Sequence, residues 1–340
     1  KIEFDWEMLM LQITTIRRRI LPTPTSKSLV LRHRLRSILA VVETPVLTQN
    51  LRELWIVEKL MTHSFHSKRW QMGEISYRPL IEAMTWSYSR LEIFDDCPYR
   101  WFLTYIHTPK LKKEDKFYAA YGLFMHDLLE KYFKGENSKE EILMMFLTQF
   151  KAKTKGTGRP KAATVQKYFQ SGTEFIKSLE PLRFKMISVE EKIDFKIGEF
   201  NFTGRIDYLG EEDGEFVIID NKSRDLKPRS GRAKPTLKDK ELDLMLRQLY
   251  IYAEAVRQKY GKLPKLLCFN CFRTGVFIEE PFNEDAYREA LSWAQHKVEE
   301  ISGADEFYPN REFFSCYYLC GLSNHCCYDI EARAERRTRT

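Results

Sequence analysis

Asp220-Asn221-Lys222 sets a carboxylate and an amine two residues apart at the end of the apolar run Phe216–Asp220. In an extended strand, positions two apart project to one face, so an acid and an ammonium group share a surface there. Thirteen residues earlier, Asp207 closes the run in Gly204-Arg205-Ile206-Asp207, and His126 sits upstream in Gly122-Leu123-Phe124-Met125-His126. Two carboxylates and an imidazole suit a hard divalent cation. Mg²⁺ takes an octahedron of oxygens, usually one or two of them from protein carboxylates, and a carbonyl of Asn221 offers another. Such an ion would acidify bound water and offset charge developing on a phosphodiester. Lys222 could position or deprotonate the attacking water, or stabilise the pentavalent phosphate. An Asp-x-Lys triplet alone means little, because roughly one arises by chance in a chain of this length. Its place at the end of an apolar strand, after a Gly-x-x-Asp strand, is what gives it meaning. The bland alternatives are a satisfied structural histidine at His126 and turn or edge residues at Asp207 and Asp220.

A second group is sulfur-based. Four of the seven cysteines fall within twelve residues, Cys316, Cys320, Cys326 and Cys327, and Cys97 lies far upstream in Asp96-Cys97-Pro98. An odd number of cysteines, with no secretory leader read at the amino end, argues against a disulfide scaffold and for the reducing cytoplasm, where clustered thiols read as metal ligands. Cys268-x2-Cys271 looks like half a zinc ribbon, but it lies in an apolar stretch of strand character. Residues three apart in a strand point to opposite faces, which makes these two core residues.

The elements that must position these groups follow from periodicity. The chain has 340 residues, 43% hydrophobic, 14% aromatic and 30% charged, which supplies a sizeable core and excludes wholesale disorder. The longest aliphatic run near the start, Ile38–Val42, is far short of the ~20 residues of a bilayer crossing. A net charge of +7 is compatible with a polyanionic partner. Residues 1–85 hold 13 basic against 8 acidic residues, including Arg17-Arg18-Arg19 and the run Arg32–Arg36. They read as an N-terminal extension, or a small helical cap, with helical spacing over Trp6–Ile20 and Leu51–Met61; Met84 could begin a shorter natural product. Residues 86–330 form the main domain and 331–340 a charged tail. Within the domain, helical spacing covers Ser87–Ile106 (interrupted at Cys97-Pro98), Tyr121–Phe133, Lys139–Phe150 and Ala162–Leu179. Val189–Ile197, Phe200–Leu209 and Phe216–Asp220 read as a three-strand meander. Helix Glu241–Tyr260, strands Leu266–Phe272 and Gly275–Glu279, and helix Glu284–Ile301 follow. This order is that of an α/β sandwich. Antiparallel neighbours bring opposite ends together, so Asp207 and Asp220 meet only if Asp207 lies mid-strand and the chain bends. The loop Ser223–Lys240 carries seven basic residues against two aspartates. It could grip phosphates in a salt-sensitive, sequence-independent way, or be a solvated flexible loop.

In order and spacing, Gly122-x3-His126, Gly204-x2-Asp207, Asp220-x-Lys222 and Gln248-x3-Tyr252 resemble the RecB-like branch of the PD-(D/E)XK nuclease superfamily, with its AddB C-terminal domains and CRISPR-associated exonucleases. The resemblance covers about residues 86–328. It implies a restriction-endonuclease-like mixed sheet flanked by helices, with the first aspartate inside a bent strand. It implies Mg²⁺ or Mn²⁺ held by His126, Asp207 and Asp220, with Lys222 as the motif lysine. Gln248 and Tyr252, one turn apart on a helix, would orient that lysine and contact DNA. Glu190 matches an acidic position common in the family, or is a surface charge. One distant cysteine followed by three near the end resembles the family's [4Fe–4S] ligand set, which maps to Cys97, Cys316, Cys320 and Cys326. The gap between Cys316 and Cys320 is three residues where the family has two, Cys327 competes as a ligand, and zinc, with His325 able to join, or a cluster-free set of buried thiols stay open. The implied activity is a metal-dependent deoxyribonuclease, exonucleolytic on single-stranded or frayed ends, with DNA and a helicase or other processing protein as partners. A non-catalytic DNA-end-binding subunit and a zinc-stapled structural protein are the rivals.

Overall fold

A computed structural model describes residues 77–326 apart from 109, 157 and 159. The readings for Trp6–Ile20, Leu51–Met61, Cys327 and the tail 331–340 lie outside these residues. Helix starts follow from caps. The Ser87 side chain accepts from Arg90 N at the head of α2 (Tyr88–Asp96), and Cys97 Sγ does the same for Arg100 N at the head of α3 (Pro98–Tyr105). Pro98 occupies the first turn, where its missing N–H leaves nothing unpaired. The Cys97-Pro98 interruption is therefore a break between two helices. A short α1 (Arg78–Glu82) precedes them, with Ile81 fully buried. Next come α4 (Phe117–Phe133), α5 (Lys139–Lys153), which opens on a Ser138–Glu141 capping box, and α6 (Ala162–Lys177).

The sheet has five strands in the order β1 (Lys185–Ile197), β2 (Phe200–Glu212), β3 (Glu215–Asn221), β4 (Leu266–Cys271) and β5 (Val276–Pro281). All neighbours are antiparallel except β3 and β4, which run parallel. A parallel step needs a crossover, and α7 (Leu237–Tyr260) supplies it; α8 (Glu284–Gly303) closes the domain. The basic loop is shorter than its composition indicates. Thr236 and Asp239 form a capping box, so α7 begins at Leu237 and the loop ends at Thr236. The Asp239 carboxylate also accepts from Ser230 N (2.7 Å) and Ser230 Oγ (2.6 Å), and these hydrogen bonds hold it well below the usual carboxylate range. Arg229 is spanned between Glu280 and Asp243, at 2.9 and 2.8 Å. The loop is tied down at its centre.

Helices cover both faces of the sheet. One layer packs α2, α3, α7 and α8 against Ile193, Phe202, Ile206, Leu209, Ile218 and Phe269. The other face holds Tyr208, Val217, Ile219 and Cys268, with Phe272 meeting the cluster of α4, α5 and α6. Leu242, Leu246, Leu249 and Ile251 anchor α7 and are essentially buried. Each such side chain contributes about 1.5–3 kcal/mol against ~1 kcal/mol for a hydrogen bond. Apolar packing therefore sets the position of α7, and with it the polar residues on its inner face.

Candidate active site

Asp207 is the eighth of thirteen residues in β2, not its end. The rung Tyr208↔Ile219 puts it next to Asp220 on β3, and on the other side Glu190 of β1 lies between the rungs Val189↔Tyr208 and Glu191↔Ile206. Three carboxylates thus stand on three adjacent strands at one level. Side-chain alternation slips at this level. Phe202, Gly204 and Ile206 face the α7 layer, and the next residue to do so is Leu209, three positions on, while Tyr208 turns to the other face. Glu190 has φ 53°, a left-handed value that costs a non-glycine residue about 1–3 kcal/mol and clusters at functional sites.

His126 arrives from the α4 side. Its Nδ1 lies 3.3 Å from Asp207 Oδ2 and 3.8 Å from Glu190 Oε1. Donor atoms of His126, Glu190 and Asp207 all lie within 4.8 Å of one another. Asp220 stands beside this group, its Oδ2 buried, 2.9 Å from Lys222 Nζ and without a well-aligned hydrogen bond. Asp207 accepts from Asn221 N at 2.8 Å. Burial and then the neighbouring Asp220 push its carboxyl up to about 7. Burial works against the charged imidazole of His126, but the hydrogen bond to Glu190 and the Asp207 and Asp220 carboxylates outweigh it, and the net shift is upward. A half-buried group of crowded carboxylates with an imidazole beside it is matched by a divalent cation. Oxygen and imidazole donors suit Mg²⁺ or Mn²⁺.

Lys222 is held from two sides. Its Nζ donates to Gln248 Oε1 (2.7 Å), and Gln248 Nε2 donates to Tyr252 OH (3.1 Å). Burial raises the Tyr252 phenol well above its ordinary value, so it stays protonated. Its ring lies over Gly204: a Cβ there would sit 2.8 Å from Tyr252 Cε1. That close approach is what the glycine of Gly204-x2-Asp207 provides. Gly122 is different, since a Cβ there would meet nothing within 4 Å, and packing does not explain it. Asn221 is present through its backbone. Its side chain is buried, and Oδ1 accepts from Asn270 Nδ2 at 2.8 Å, which leaves the side-chain oxygen engaged away from the carboxylates. Glu92 on α2 lies within electrostatic reach of Lys222: burial raises its carboxyl, and Lys222 partly offsets this. No spacing in the sequence marks Glu92, because only the docking of α2 brings it there. Glu190 was visible as an acid at the head of a strand; its left-handed backbone was not.

Two of the cysteines approach one residue, but among the described residues no three cysteines gather into a metal-sized group. Asn310 N lies 3.4 Å from Cys97 Sγ, and Cys316 Sγ lies 3.7 Å from Asn310 O. Burial raises the Cys320 thiol, with Arg100 and Lys116 acting the other way and Cys97 reinforcing it. Lys116 reaches Ser323 Oγ (3.3 Å), and His325 Nε2 meets Lys112 O (3.0 Å), so the C-terminal segment is fastened to the loop before α4. Cys268 and Cys271 are fully buried on opposite faces of the sheet. Burial pushes their thiols up to about 12 and 11, which makes them inert core residues.

A sequence profile of the PD-(D/E)XK nuclease superfamily matches residues 85–327, well over half of the chain. The chain belongs to that superfamily. Its mixed five-strand sheet flanked by helices is the restriction-endonuclease-like fold. Superfamily members are nucleases that use divalent metal ions, and the acidic group described above is this nuclease's candidate site for one. No curated protein matches the chain significantly. Among solved structures, the nuclease is similar to a Eubacterium rectale protein with a provisional exonuclease assignment, at 15% identity, 76% coverage of this chain, 93% of that one, and TM-score 0.39. It is also similar to SSO0001, at 16% identity, 82% and 96% coverage, and TM-score 0.25.

Proposed function

We propose that this nuclease is a Mg²⁺- or Mn²⁺-dependent deoxyribonuclease that works exonucleolytically on single-stranded or frayed DNA ends. The observation that carries the reading is the alignment of Glu190, Asp207 and Asp220 on three neighbouring strands, with His126 and the Lys222 amine beside them. His126, Asp207 and Asp220, joined by Glu190, would hold the ion. When bound, the ion supplies Lewis acidity toward the phosphate and lowers the pKa of its water. Lys222 does the rest as an ammonium group. Gln248 fixes its direction, and its charge is placed to offset that of a phosphorane formed over Asp220. Tyr252 holds Gln248 in turn.

Cys97, Cys316, Cys320 and Cys326 would carry a [4Fe–4S] cluster that staples the C-terminal segment to the break between α2 and α3. Arg100, Lys113 and Lys116 around Cys97 and Cys320 offset the negative charge of a thiolate-bound centre, and four thiolates suit iron–sulfur or zinc. The cytoplasm is the compartment that keeps such thiols reduced. Among the described residues no helix is long and apolar enough to cross a membrane. A helicase or another DNA-processing protein is the proposed partner.

The test is digestion of end-labelled linear and covalently closed circular DNA with Mg²⁺ or Mn²⁺, by the protein and by Asp220→Ala. Degradation of the linear substrate, abolished in the variant, supports the reading. Equal activity in the variant removes the site assignment, and DNA retention without cleavage under any metal makes the protein an end-binding subunit. Iron with labile sulfide supports the cluster; stoichiometric zinc without iron replaces it.

A further inference from the structure

The chain between Asn310 and Cys320 presents rings to solvent. Phe313 and Tyr317 lie parallel, centroids 5.6 Å apart with 8° between planes. They are 61% and 46% exposed, and Phe314 is 48% exposed. The backbone here makes a wide turn, Ser315–Leu319, closed by Cys320 N donating to Ser315 O (2.8 Å). Turns of this π type recur at functional sites. From this pair the rings run inward. Tyr318 lies 4.8 Å from Tyr317 and 5.9 Å from Tyr118, and Tyr118 lies 5.5 Å from Tyr168. The Arg273 guanidinium covers Tyr168 at 5.7 Å, and its Nε donates to Ser223 O (2.8 Å), the residue after Lys222. Tyr118 also precedes His126 by eight residues on α4, about 12 Å along the axis. A line of rings therefore runs from the exposed turn to Tyr168, and Arg273 links it to the backbone beside Lys222.

A basic segment meets this turn, whose own backbone is capped by the Glu312 carboxylate. Lys151–Lys161 contains five basic residues and no acidic one, and Lys151, Lys153, Lys155 and Lys161 are exposed. The segment packs on the turn: a Cβ on Gly158 would meet Tyr317 O at 2.6 Å and Lys116 Cδ at 3.1 Å. Exposed parallel rings next to a lysine-rich segment match a ligand with flat aromatic faces strung on a polyanion. Single-stranded DNA has both features, whereas a duplex hides its base faces within its own stack. An apolar protein surface would satisfy the rings and leave the lysines unmatched.

We propose that Phe313, Phe314 and Tyr317 form a stacking platform for single-stranded DNA. The Lys151–Lys161 segment holds the phosphates, and the aromatic line leads the strand toward Lys222. Its direction of travel rests on the nuclease reading; the platform itself does not.

The test measures affinity of the full chain, in EDTA, for fluorescent oligothymidylate and for a blunt duplex of equal length. The double variant Phe313→Leu/Tyr317→Leu keeps apolar bulk next to Cys316 while removing the ring faces. It is expected to weaken single-strand binding about tenfold or more and leave duplex binding unchanged. Unchanged single-strand affinity, or an equal loss on duplex, overturns the platform. Lys153→Glu/Lys155→Glu lies apart from the cysteines. It is expected to weaken binding and to reduce the logarithmic salt slope by about one per lysine; an unchanged slope overturns the phosphate contact. Metal-dependent hydrolysis of thymidine 5′-p-nitrophenyl phosphate reports the catalytic site separately. The leucine variant should retain it. Failure of the nuclease reading would show as no hydrolysis by the unaltered protein, with the binding comparison intact.

Discussion

Glu190 on β1 and Asp207 on β2 stand across from one another in the ladder, and at that rung both strands depart from regular geometry. Glu190 has a left-handed backbone, and the side-chain alternation of β2 slips between Ile206 and Leu209. Directly opposite residues of an antiparallel pair share a face, and both carboxylates lie near His126 Nδ1. Glu190→Gln is therefore expected to weaken Mn²⁺ binding about 10–100-fold, read by calorimetric titration. Undiminished affinity would remove Glu190 from the ligand set.

Backbone strain at Glu190 is separable from its charge. Glu190→Gly accepts φ 53° freely and removes one of three crowded acids. Metal-free protein carrying it should be more stable by about 1 kcal/mol or more, measured by urea unfolding, while cleavage falls. A loss of stability would show that the pairing of Glu190 with His126 and Arg205 outweighs the strain.

Acidity should govern both stability and metal binding. The Asp207 carboxyl is raised to about 7 from an ordinary 3.8, chiefly by burial and then by Asp220. Between those values the folded metal-free protein binds more protons than the unfolded chain, so stability falls as pH rises through that window. His126, also raised, adds stability below its ordinary 6.5 that is lost as pH climbs through its folded value. Ions compete with both protons, so Mn²⁺ affinity should climb with pH through the Asp207 value of about 7 and level once His126 has also lost its proton. Asp207→Asn should flatten the metal-free stability profile. A metal-free profile that rises with pH across this window would refute the assignment.

Lys222, Gln248 and Tyr252 make a graded series. Gln248→Ala takes the acceptor from the Lys222 amine and should lower kcat about 10–100-fold with little change in KM. Tyr252→Phe loses only the hydroxyl that accepts from Gln248 and should cost less. Gly204→Ala places a methyl 2.8 Å from the Tyr252 ring, an overpacking expected to destabilise by about 1–3 kcal/mol. Equal kcat in Gln248→Ala would mean that Lys222 needs no orientation.

The cysteine set and the core cysteines should respond differently. Cys97→Ser removes a candidate ligand while its hydroxyl can still cap α3 as Ser87 caps α2; bound metal should fall, and with it the melting temperature. Cys268→Ser, on the opposite side of the sheet from Cys271, should lower stability with metal content unchanged. Metal retained in Cys97→Ser would exclude it as a ligand.

Much of this protein is local and therefore written along the chain. Apolar periodicity outlines the helices and the five strands, because side chains recur every 3.6 or 2 residues wherever one face is buried. Cap chemistry at Ser87, Ser138 and Thr236 sets helix starts. The ordered spacing of His126, Asp207, Asp220, Lys222, Gln248 and Tyr252 was legible for the same reason, since each sits at a set place within its own element. Tertiary structure decided the rest. Asp207 looks like a strand end because regular alternation stops there, yet β2 continues to Glu212 through the slipped rung. Glu190, visible in the sequence as an acid at the head of a strand, was set beside Asp207 and His126 only by the pairing of β1 with β2. Asn221 turned its amide to Asn270, Glu92 came within electrostatic reach of Lys222 only through the docking of α2, and the basic loop proved to be pinned by Asp239. Each of these depends on residues far apart in sequence meeting in space. Pairing register and layer packing are properties of the folded sheet, and no window of neighbouring residues encodes them.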